Sequence, residues 1–127
     1  MKNYWIFQYT TNIYKNVIED FKNENIDKWE VTKHKNNIKI GDIAIIYIGG
    51  NKGKYIIGIV EVLSEIFYLK EKDRDYVKIK IIENWSTTPI SYTKAKKEIP
   101  NILIGISGTN FRATEEQYIK VKELVLY

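Results

Sequence analysis

Apolar residues in this chain are concentrated in two runs that are separated by a short polar link. Residues 43–48 and 55–62 are almost continuously apolar and rich in β-branched side chains, and the link at 49–53 contains three glycines. Glycine adopts turn conformations at little cost, so this pattern predicts a β-hairpin. Neither run alternates with polar residues, so both strands are expected to be buried on both faces. Gly58, inside the second run, predicts a bulge, a bend or a close approach to the backbone.

The rest of the chain shows shorter patterns. Residues 4–9 predict a strand, and Ile13, Val17, Ile18 and Phe21 recur at helical spacing, which predicts a helix over 12–23. Residues 26–37 have no clear period and predict an irregular surface loop. The later signals predict a half-exposed strand at 76–82, a short helix at 91–98, a strand or buried turn at 102–106, and a last helix that starts at the capping box 114–117. Together they predict a compact, partly closed barrel with flanking helices.

Composition limits the class of protein. The 127 residues are 44% hydrophobic and 28% charged, which fits one globular domain. The absence of cysteine excludes disulfides and thiolate metal sites, and no apolar run is long enough to span a membrane, so a cytoplasmic protein is expected. A net charge of +4 permits a polyanionic partner without requiring one.

Catalytic signals are missing from the sequence. One histidine, His34, stands among lysines, where a metal cation would be repelled. The chain contains no G-x-S-x-G nucleophile motif and no glycine-rich nucleotide loop followed by a helix. We therefore expect no enzyme activity, no metal and no cofactor.

Aromatic residues stand beside basic residues, which is the combination that binds nucleic acids. Bases stack on aromatic rings, while lysine and arginine contact phosphates. Trp29 precedes Lys33 and Lys35 in the polar stretch, and its sequence surroundings offer little core. It is therefore interpreted as a functional residue, whereas Tyr47 and Phe111 fit a core position equally well.

Several stretches in the same order make the chain resemble the EVE domain, a member of the PUA-like superfamily that is related to YTH domains. They are YWIF at 4–7, WEV at 29–31, KIGD at 39–42 with IY at 46–47, IGIVEV at 57–62 and GTNFR at 108–112. The resemblance covers nearly the whole chain and implies a single domain over 1–127. It implies an α+β fold, a PUA-like small five- to six-stranded, mostly antiparallel β-barrel flanked by two or three helices. It also implies a non-catalytic domain with a pocket for one nucleobase.

The same resemblance predicts which residues form the pocket. It places Gln8, Tyr9 and Asn12 at the border of the pocket, and Trp29 where YTH domains have an aromatic cage residue. Residues 67–76 contain no counterpart of the second cage tryptophan. The residues expected to take its place are Tyr47, Trp85 or Phe111. The residues expected to bind phosphates are Lys33, Lys35, Lys52, Lys54 and Arg112.

These features predict recognition of modified (methylated) nucleobases, which are flipped into an aromatic pocket. The closing GTNFR before a helix is most similar to the N-terminal modules of modification-dependent restriction GTPases. This likeness favours methylated DNA as the partner, with a downstream NTPase domain and a nuclease subunit in the same system. The alternatives are a PUA-like module that binds modified RNA, a domain that binds a small molecule or protein, and a hydrolase of the related ASCH type.

Overall fold

The computed structural model describes residues 2–125, which form a mixed sheet that is curled into a half-barrel and flanked by three helices. Residues 1, 126 and 127 of the predicted domain lie outside the described residues. The elements are β1 (Tyr4–Thr10), α1 (Val17–Lys22), β2 (Lys28–Glu30), β3 (Ile43–Gly49), β4 (Tyr55–Val62), β5 (Phe67–Leu69), β6 (Arg74–Asn84), β7 (Ile90–Ser91), α2 (Tyr92–Glu98), β8 (Asn110–Ala113) and α3 (Glu115–Val125).

The sheet has the strand order β2-β6-β4-β3-β1-β8, while the short strands β5 and β7 pair with β6 and β4. Strand β1 runs parallel to β3, and the other pairs are antiparallel. The predicted α+β class with a mostly antiparallel barrel is confirmed.

The central hairpin of β3 and β4 is confirmed as predicted. Residues 43–48 are all buried, because the sheet carries an apolar cluster on each face. Gly58 lies at a point of close approach. A Cβ atom there would be 2.3 Å from the carbonyl oxygen of Glu83 and 2.6 Å from Cζ of Phe21.

Helix α1 is shorter than predicted. It begins at Val17 rather than near Asn12, and Ile13, which was counted among the apolar residues at helical spacing, is 74% exposed. The backbone N–H groups of Ile13 and Tyr14 both donate to the carbonyl of Thr10, so a tight turn replaces the first helical turn. The apolar spacing of residues 13–21 could not show that this turn would intervene.

The prediction of an irregular surface loop over 26–37 is wrong at its start. Residues 28–30 form β2, which pairs with β6 so that Trp29 lies opposite Val77. The indole of Trp29 is only 3% exposed and stacks on Phe7, with 6.5 Å between ring centroids. A strand of three residues is too short to show alternation in the sequence, and this Trp belongs to the core.

Asn110 joins the two edges of the sheet. Its side chain is fully buried at the start of β8, and Oδ1 accepts hydrogen bonds from the backbone N–H groups of Thr32 (3.0 Å) and Lys33 (3.2 Å). Its amide nitrogen donates to the carbonyl of Lys33. Residues 32 and 33 follow β2 at the opposite edge of the sheet, so one side chain completes the curled sheet.

The last helix starts at the predicted capping box. The backbone N–H of Gln117 donates to Oγ1 of Thr114, and the backbone N–H of Thr114 donates to Oε1 of Gln117, both at 3.0 Å. These reciprocal bonds satisfy two donors at the helix N-terminus. The capping-box prediction is confirmed.

Candidate functional site

The carboxyl ends of the parallel strands β1 and β3 open onto a cleft of about 500 Å³, here called the first cleft. A cleft of this size accommodates a small molecule or a single nucleotide unit. Its lining comes from the ends of both strands, the segment 105–109 and side chains of β2, β6 and α2. The lining residues are Gln8, Tyr9, Thr10, Ile13, Glu30, Tyr47, Gly49, Gly50, Lys54, Arg74, Tyr92, Gly105, Ile106, Ser107, Gly108 and Thr109.

Gln8 holds the segment 105–109 against the end of β1. Its Oε1 accepts a hydrogen bond from the backbone N–H of Gly105 (2.9 Å), and its Nε2 donates to the carbonyls of Ile106 and Gly108 (3.0 Å for Gly108). The amide of Gln8 is therefore occupied by the loop. Gln8 therefore forms part of the wall of the first cleft, and its polar atoms are not available to bind a ligand.

Tyr47 supplies the most unusual polar group of the first cleft. Its ring is 1% exposed, and its buried hydroxyl has no hydrogen-bond partner among residues 2–125. Burial, reinforced by the nearby Tyr92, raises the pKa of Tyr47 to about 12. The hydroxyl is therefore protonated at neutral pH and keeps a donor available. An unsatisfied buried hydroxyl costs about 1–3 kcal/mol, which a ligand with a hydrogen-bonding edge would recover.

Tyr92 and Lys54 add an aromatic ring and a positive charge to the same cleft. The Tyr47 and Tyr92 rings lie 6.2 Å apart at an angle of 56°, and the ammonium of Lys54 lies 5.8 Å from the centroid of Tyr92. Glycines occupy the rim, and at Gly50 a Cβ atom would be 2.5 Å from Oγ1 of Thr11. The first cleft therefore combines aromatic surface, exposed backbone and positive charge.

Tyr9, Glu30 and Arg74 form another wall of the first cleft, joined by one hydrogen bond and one ion pair. The hydroxyl of Tyr9 donates to Oε1 of Glu30 at 2.9 Å, and Nε of Arg74 lies 3.3 Å from Oε2. Burial, followed by the hydrogen bond to Glu30, raises the pKa of Tyr9 to about 12. Glu30 is 8% exposed, so this wall places a buried carboxylate, an acceptor of hydrogen bonds, beside the cleft.

A second cleft of about 580 Å³ lies on the other side of this wall. It shares Tyr9, Ile13 and Glu30 with the first cleft, and Trp29 lies in its lining. The buried Nε1 of Trp29 finds no acceptor within the part of the chain that the structure describes. The two clefts therefore form one trough that is divided at Tyr9, Ile13 and Glu30.

The structure brings together some of the predicted pocket residues. Gln8, Tyr9 and Tyr47 line the first cleft, whereas Trp29 lines the second. Asn12 lines neither cleft, and its Oδ1 accepts from the backbone N–H of Asn51 at 3.3 Å. Trp85 and Phe111, each 7% exposed, belong to the apolar cluster around Tyr47 and are absent from the lining of both clefts.

Of the predicted phosphate-binding residues, one lines the first cleft, and the others contact groups outside its lining. Lys54 lines the first cleft, and Lys52 places its ammonium 3.4 Å from the carbonyl of Lys15. The ammonium of Lys35 is 2.6 Å from the carboxylate of Asp75. Lys33 and Arg112 lie over the rings of Phe111 and Trp5, at 5.7 and 4.9 Å from the ring centroids.

The charged and aromatic lining residues of the first cleft that were not identified from the sequence are Glu30, Arg74 and Tyr92. Glu30 and Arg74 belong to different strands and come together only when β2 pairs with β6. The mixed charges around them look like a solvated surface in the sequence. Tyr92 begins a helix that was correctly predicted, and its direction towards Tyr47 depends on β7 pairing with β4.

The described residues contain neither a metal-binding cluster nor a membrane-spanning helix. Between residues 2 and 125, no group of three His, Cys, Asp or Glu side chains is arranged to hold a metal ion. The three helices in this range are all too short or too polar to cross a membrane.

Comparison with known proteins gives a family match. The model of the EVE domain family matches residues 3–118. No curated protein matches the chain by sequence.

Solved structures share the fold at low sequence identity. A hypothetical protein from Leishmania major has a TM-score of 0.78 and 16% identity, with 99% of this chain and 96% of that chain covered. Human THYN1, solved in complex with DNA containing 5-methylcytosine, has a TM-score of 0.75 and 15% identity, with 99% of each chain covered. The YTH domain of Zygosaccharomyces rouxii MRB1, solved with N6-methyladenosine RNA, has a TM-score of 0.62 and 14% identity, with 98% of this chain and 88% of that chain covered.

Proposed function

Since this chain belongs to the EVE domain family, we propose that its first cleft binds one modified nucleobase that has been flipped out of a nucleic acid. The domain acts as a non-catalytic reader, and methylated DNA is its target. Two proteins with the same fold support a modified nucleobase as the ligand, since human THYN1 was solved with 5-methylcytosine DNA and a yeast YTH domain with N6-methyladenosine RNA. The THYN1 complex supports DNA as the target.

The observation that carries the proposal is the unpartnered hydroxyl of Tyr47. It is buried in the wall of a cleft of about 500 Å³, and the ring of Tyr47 lies next to that of Tyr92, so a flat heterocycle with polar edges would satisfy it. A purely apolar ligand would leave the hydroxyl unsatisfied. The cleft therefore favours a ligand that has both a ring face and a hydrogen-bond acceptor.

Glu30 adds selectivity for the amino-bearing bases. Its buried carboxylate accepts a hydrogen bond from Tyr9, forms an ion pair with Arg74, and retains acceptor capacity towards the clefts that it lines. A carboxylate accepts hydrogen bonds from the exocyclic amine of cytosine or adenine. The carbonyl at the equivalent position of thymine or uracil would be repelled. 5-Methylcytosine and N6-methyladenine both keep at least one amine hydrogen, so both fit this requirement.

The energies of flipping and binding are similar in size. Flipping a base costs a few kcal/mol of unstacking and unpairing. Stacking on an aromatic side chain contributes ~1–3 kcal/mol per base, and one buried methyl group contributes ~0.8 kcal/mol. The methyl group alone gives a modest preference, so contacts with the base edge have to contribute most of the selectivity.

Phosphate contacts supply the remaining affinity. Lys54 and Arg74 line the first cleft, and Lys52 follows the glycines of its rim. These residues are the primary candidates, with Lys33, Lys35 and Arg112 further along the surface. Binding through several such contacts weakens as the salt concentration rises.

The biological role that best fits this chemistry is the targeting of methylated DNA for modification-dependent restriction in the cytoplasm. In such a system, the domain selects the site, while a downstream NTPase domain and a nuclease subunit act on the DNA. Identification of the polypeptide or the genes next to this domain tests this role.

The proposal is tested by titrating matched oligonucleotides against the wild type and Tyr47→Phe. The oligonucleotides carry cytosine, 5-methylcytosine, adenine or N6-methyladenine at one position and are used as single strands and as duplexes. We expect the wild type to prefer one modified base, and Tyr47→Phe to bind that base about tenfold more weakly because a hydrogen bond is lost.

Tyr68→Phe is the matched control, because Tyr68 is 56% exposed and lines neither cleft. It should bind as the wild type does. Equal affinity of the wild type for modified and unmodified bases in every context would refute the proposal.

Recognition of modified RNA is the second candidate, favoured by the shared fold with the yeast YTH domain. The same titrations include single-stranded RNA with N6-methyladenosine at the same ionic strength. A clear preference for this RNA over every DNA would assign the first cleft to RNA.

A further inference from the structure

We propose that Ile13 is a wedge that enters the base stack of duplex DNA and fills the gap left by the flipped base. This inference rests on the proposed function, since it assigns to one residue the step by which the base leaves the duplex. Nothing in the sequence pattern singled out this role, because Ile13 was predicted as one of the apolar residues of a helix.

The exposure of Ile13 is unusual for its chemistry. At 74%, it is the most exposed large apolar side chain among residues 2–125. A single exposed isoleucine is common on protein surfaces and is not informative alone. The position of Ile13 is the second observation, because it lines both clefts at the boundary that divides them.

The backbone that carries Ile13 is held in place on both sides. Its own N–H donates to the carbonyl of Thr10 at 3.1 Å, and the N–H of Thr11 donates to the carbonyl of Gly49 at 3.0 Å. The side chain of Asn12 accepts from the backbone of Asn51 at 3.3 Å. The turn is therefore fixed to the ends of β1 and β3, so Ile13 projects from a supported position at the mouth of the first cleft.

The charges around Ile13 suit the approach of a DNA backbone. Lys54 lines the first cleft, Lys15 lines the second, and the ammonium of Lys52 bonds to the carbonyl of Lys15. Lysines on both sides would contact the phosphates that flank the flipped nucleotide. An apolar side chain between them would meet the exposed faces of the neighbouring bases.

Physical chemistry explains why a wedge is useful at this position. A base that leaves a duplex exposes the faces of its neighbours and leaves its partner unpaired, which costs a few kcal/mol. Apolar side chains inserted between base steps occur in other DNA-binding proteins that deform the duplex. A wedge recovers part of the lost stacking only when the target is double-stranded. A single strand has no such gap to fill.

The test compares duplex and single-stranded DNA for the wild type, Ile13→Ala and Ile40→Ala. Each DNA carries one 5-methylcytosine or one N6-methyladenine, whichever the wild type prefers. Ile40 is the matched control, because it is 63% exposed and lines neither cleft. Since Ile13 is exposed, Ile13→Ala should fold as the wild type does, and thermal unfolding checks this.

We expect Ile13→Ala to weaken binding of the modified duplex about tenfold more than binding of the modified single strand, because any contact of Ile13 with the base inside the first cleft is common to both DNAs. Ile40→Ala should match the wild type on both. Unchanged binding of the duplex, or an equal loss on duplex and single strand, would overturn the wedge while leaving the base pocket intact. A wild type that prefers no modified base, even in single strands, would instead overturn the proposed function together with the wedge.

Discussion

The indole Nε1 of Trp5 donates a hydrogen bond of 2.9 Å to Oδ2 of Asp42, and both residues are buried, with exposures of 0% and 1%. The same carboxylate accepts from the backbone N–H groups of Asn3 (3.0 Å) and Lys39 (2.8 Å). One side chain therefore ties the start of β1 to the turn before β3. This turn fixes the register of the parallel pair on which the first cleft depends.

Asp42→Asn should destabilise the fold by about 2–3 kcal/mol. The substitution removes the negative charge and replaces one acceptor oxygen with an NH₂ donor, which then faces N–H groups. Urea unfolding at pH 7 measures the loss. Asp27→Asn is the control, because the side chain of Asp27 is 91% exposed, and it should change the free energy of unfolding little. Equal stability of the two variants would contradict the role given to Asp42.

Gly58→Ala should destabilise the protein by about 1–3 kcal/mol through overpacking. The new methyl group would lie 2.3 Å from the carbonyl oxygen of Glu83, which the pairing of β4 with β6 holds in place. Gly49→Ala is the control in the same hairpin. Its Cβ would make an ordinary contact of 3.5 Å with Tyr47. Urea unfolding of both variants gives the comparison, and a stable Gly58→Ala would show that β4 and β6 separate easily.

The stability of the wild type should fall between about pH 10 and 12. The folded state raises the pKa of Tyr47 from 10.0 to about 12, so in this window the folded state holds a proton that the unfolded chain has lost. A folded-state pKa above the unfolded value gives stability that is complete below pH 10 and is lost as the pH rises. For this buried group the loss is about 2–3 kcal/mol.

Urea unfolding at pH 9 and pH 11.5 tests this dependence in the wild type and Tyr47→Phe. The wild type should lose more stability than the variant between the two pH values, because phenylalanine has no proton to release. The difference between the two proteins removes the contribution of lysines and other tyrosines. Identical losses would show that Tyr47 titrates normally.

Glu30→Gln should change which bases the first cleft accepts. We expect binding of 5-methylcytosine or N6-methyladenine in single strands to weaken about tenfold, and binding of thymine to improve, because the amide offers a donor as well as an acceptor. Fluorescence anisotropy of labelled oligonucleotides measures both. Glu19→Gln, at an exposed position of α1, is the control. An unchanged ratio of affinities between cytosine and thymine derivatives would remove Glu30 from base selection.

The sequence predicted the parts of the fold that local chemistry determines. The hairpin of β3 and β4 and the capping box at Thr114 were correct, because their patterns are complete within a few residues. Strand β2 was missed, since its three residues are stabilised by pairing with β6. Helix α1 was predicted too long, because the hydrogen bonds between Thr11 and Gly49 connect residues far apart in the sequence.

In the candidate site, too, contacts between residues far apart in the sequence were the ones that the sequence did not predict. Gln8, Tyr9 and Tyr47, which the resemblance to the EVE domain predicted as pocket residues, line the first cleft. Trp29 was placed in the loop because its sequence neighbours are polar, whereas its spatial neighbours Phe7 and Tyr9 are aromatic. Glu30 and Arg74 meet only after the sheet curls, and the sequence contains no local signal of their pairing.

The position of β1 between β3 and β8 has a consequence for synthesis of the protein. While the chain emerges from the ribosome, β1 can pair with β3 once the hairpin is out, but its other edge stays open until residue 113 has been translated. Asn110 and the segment that Gln8 anchors arrive at the same late stage. The first cleft is thus completed only when the last strand docks, so a nascent chain has no complete cleft until that strand has left the exit tunnel.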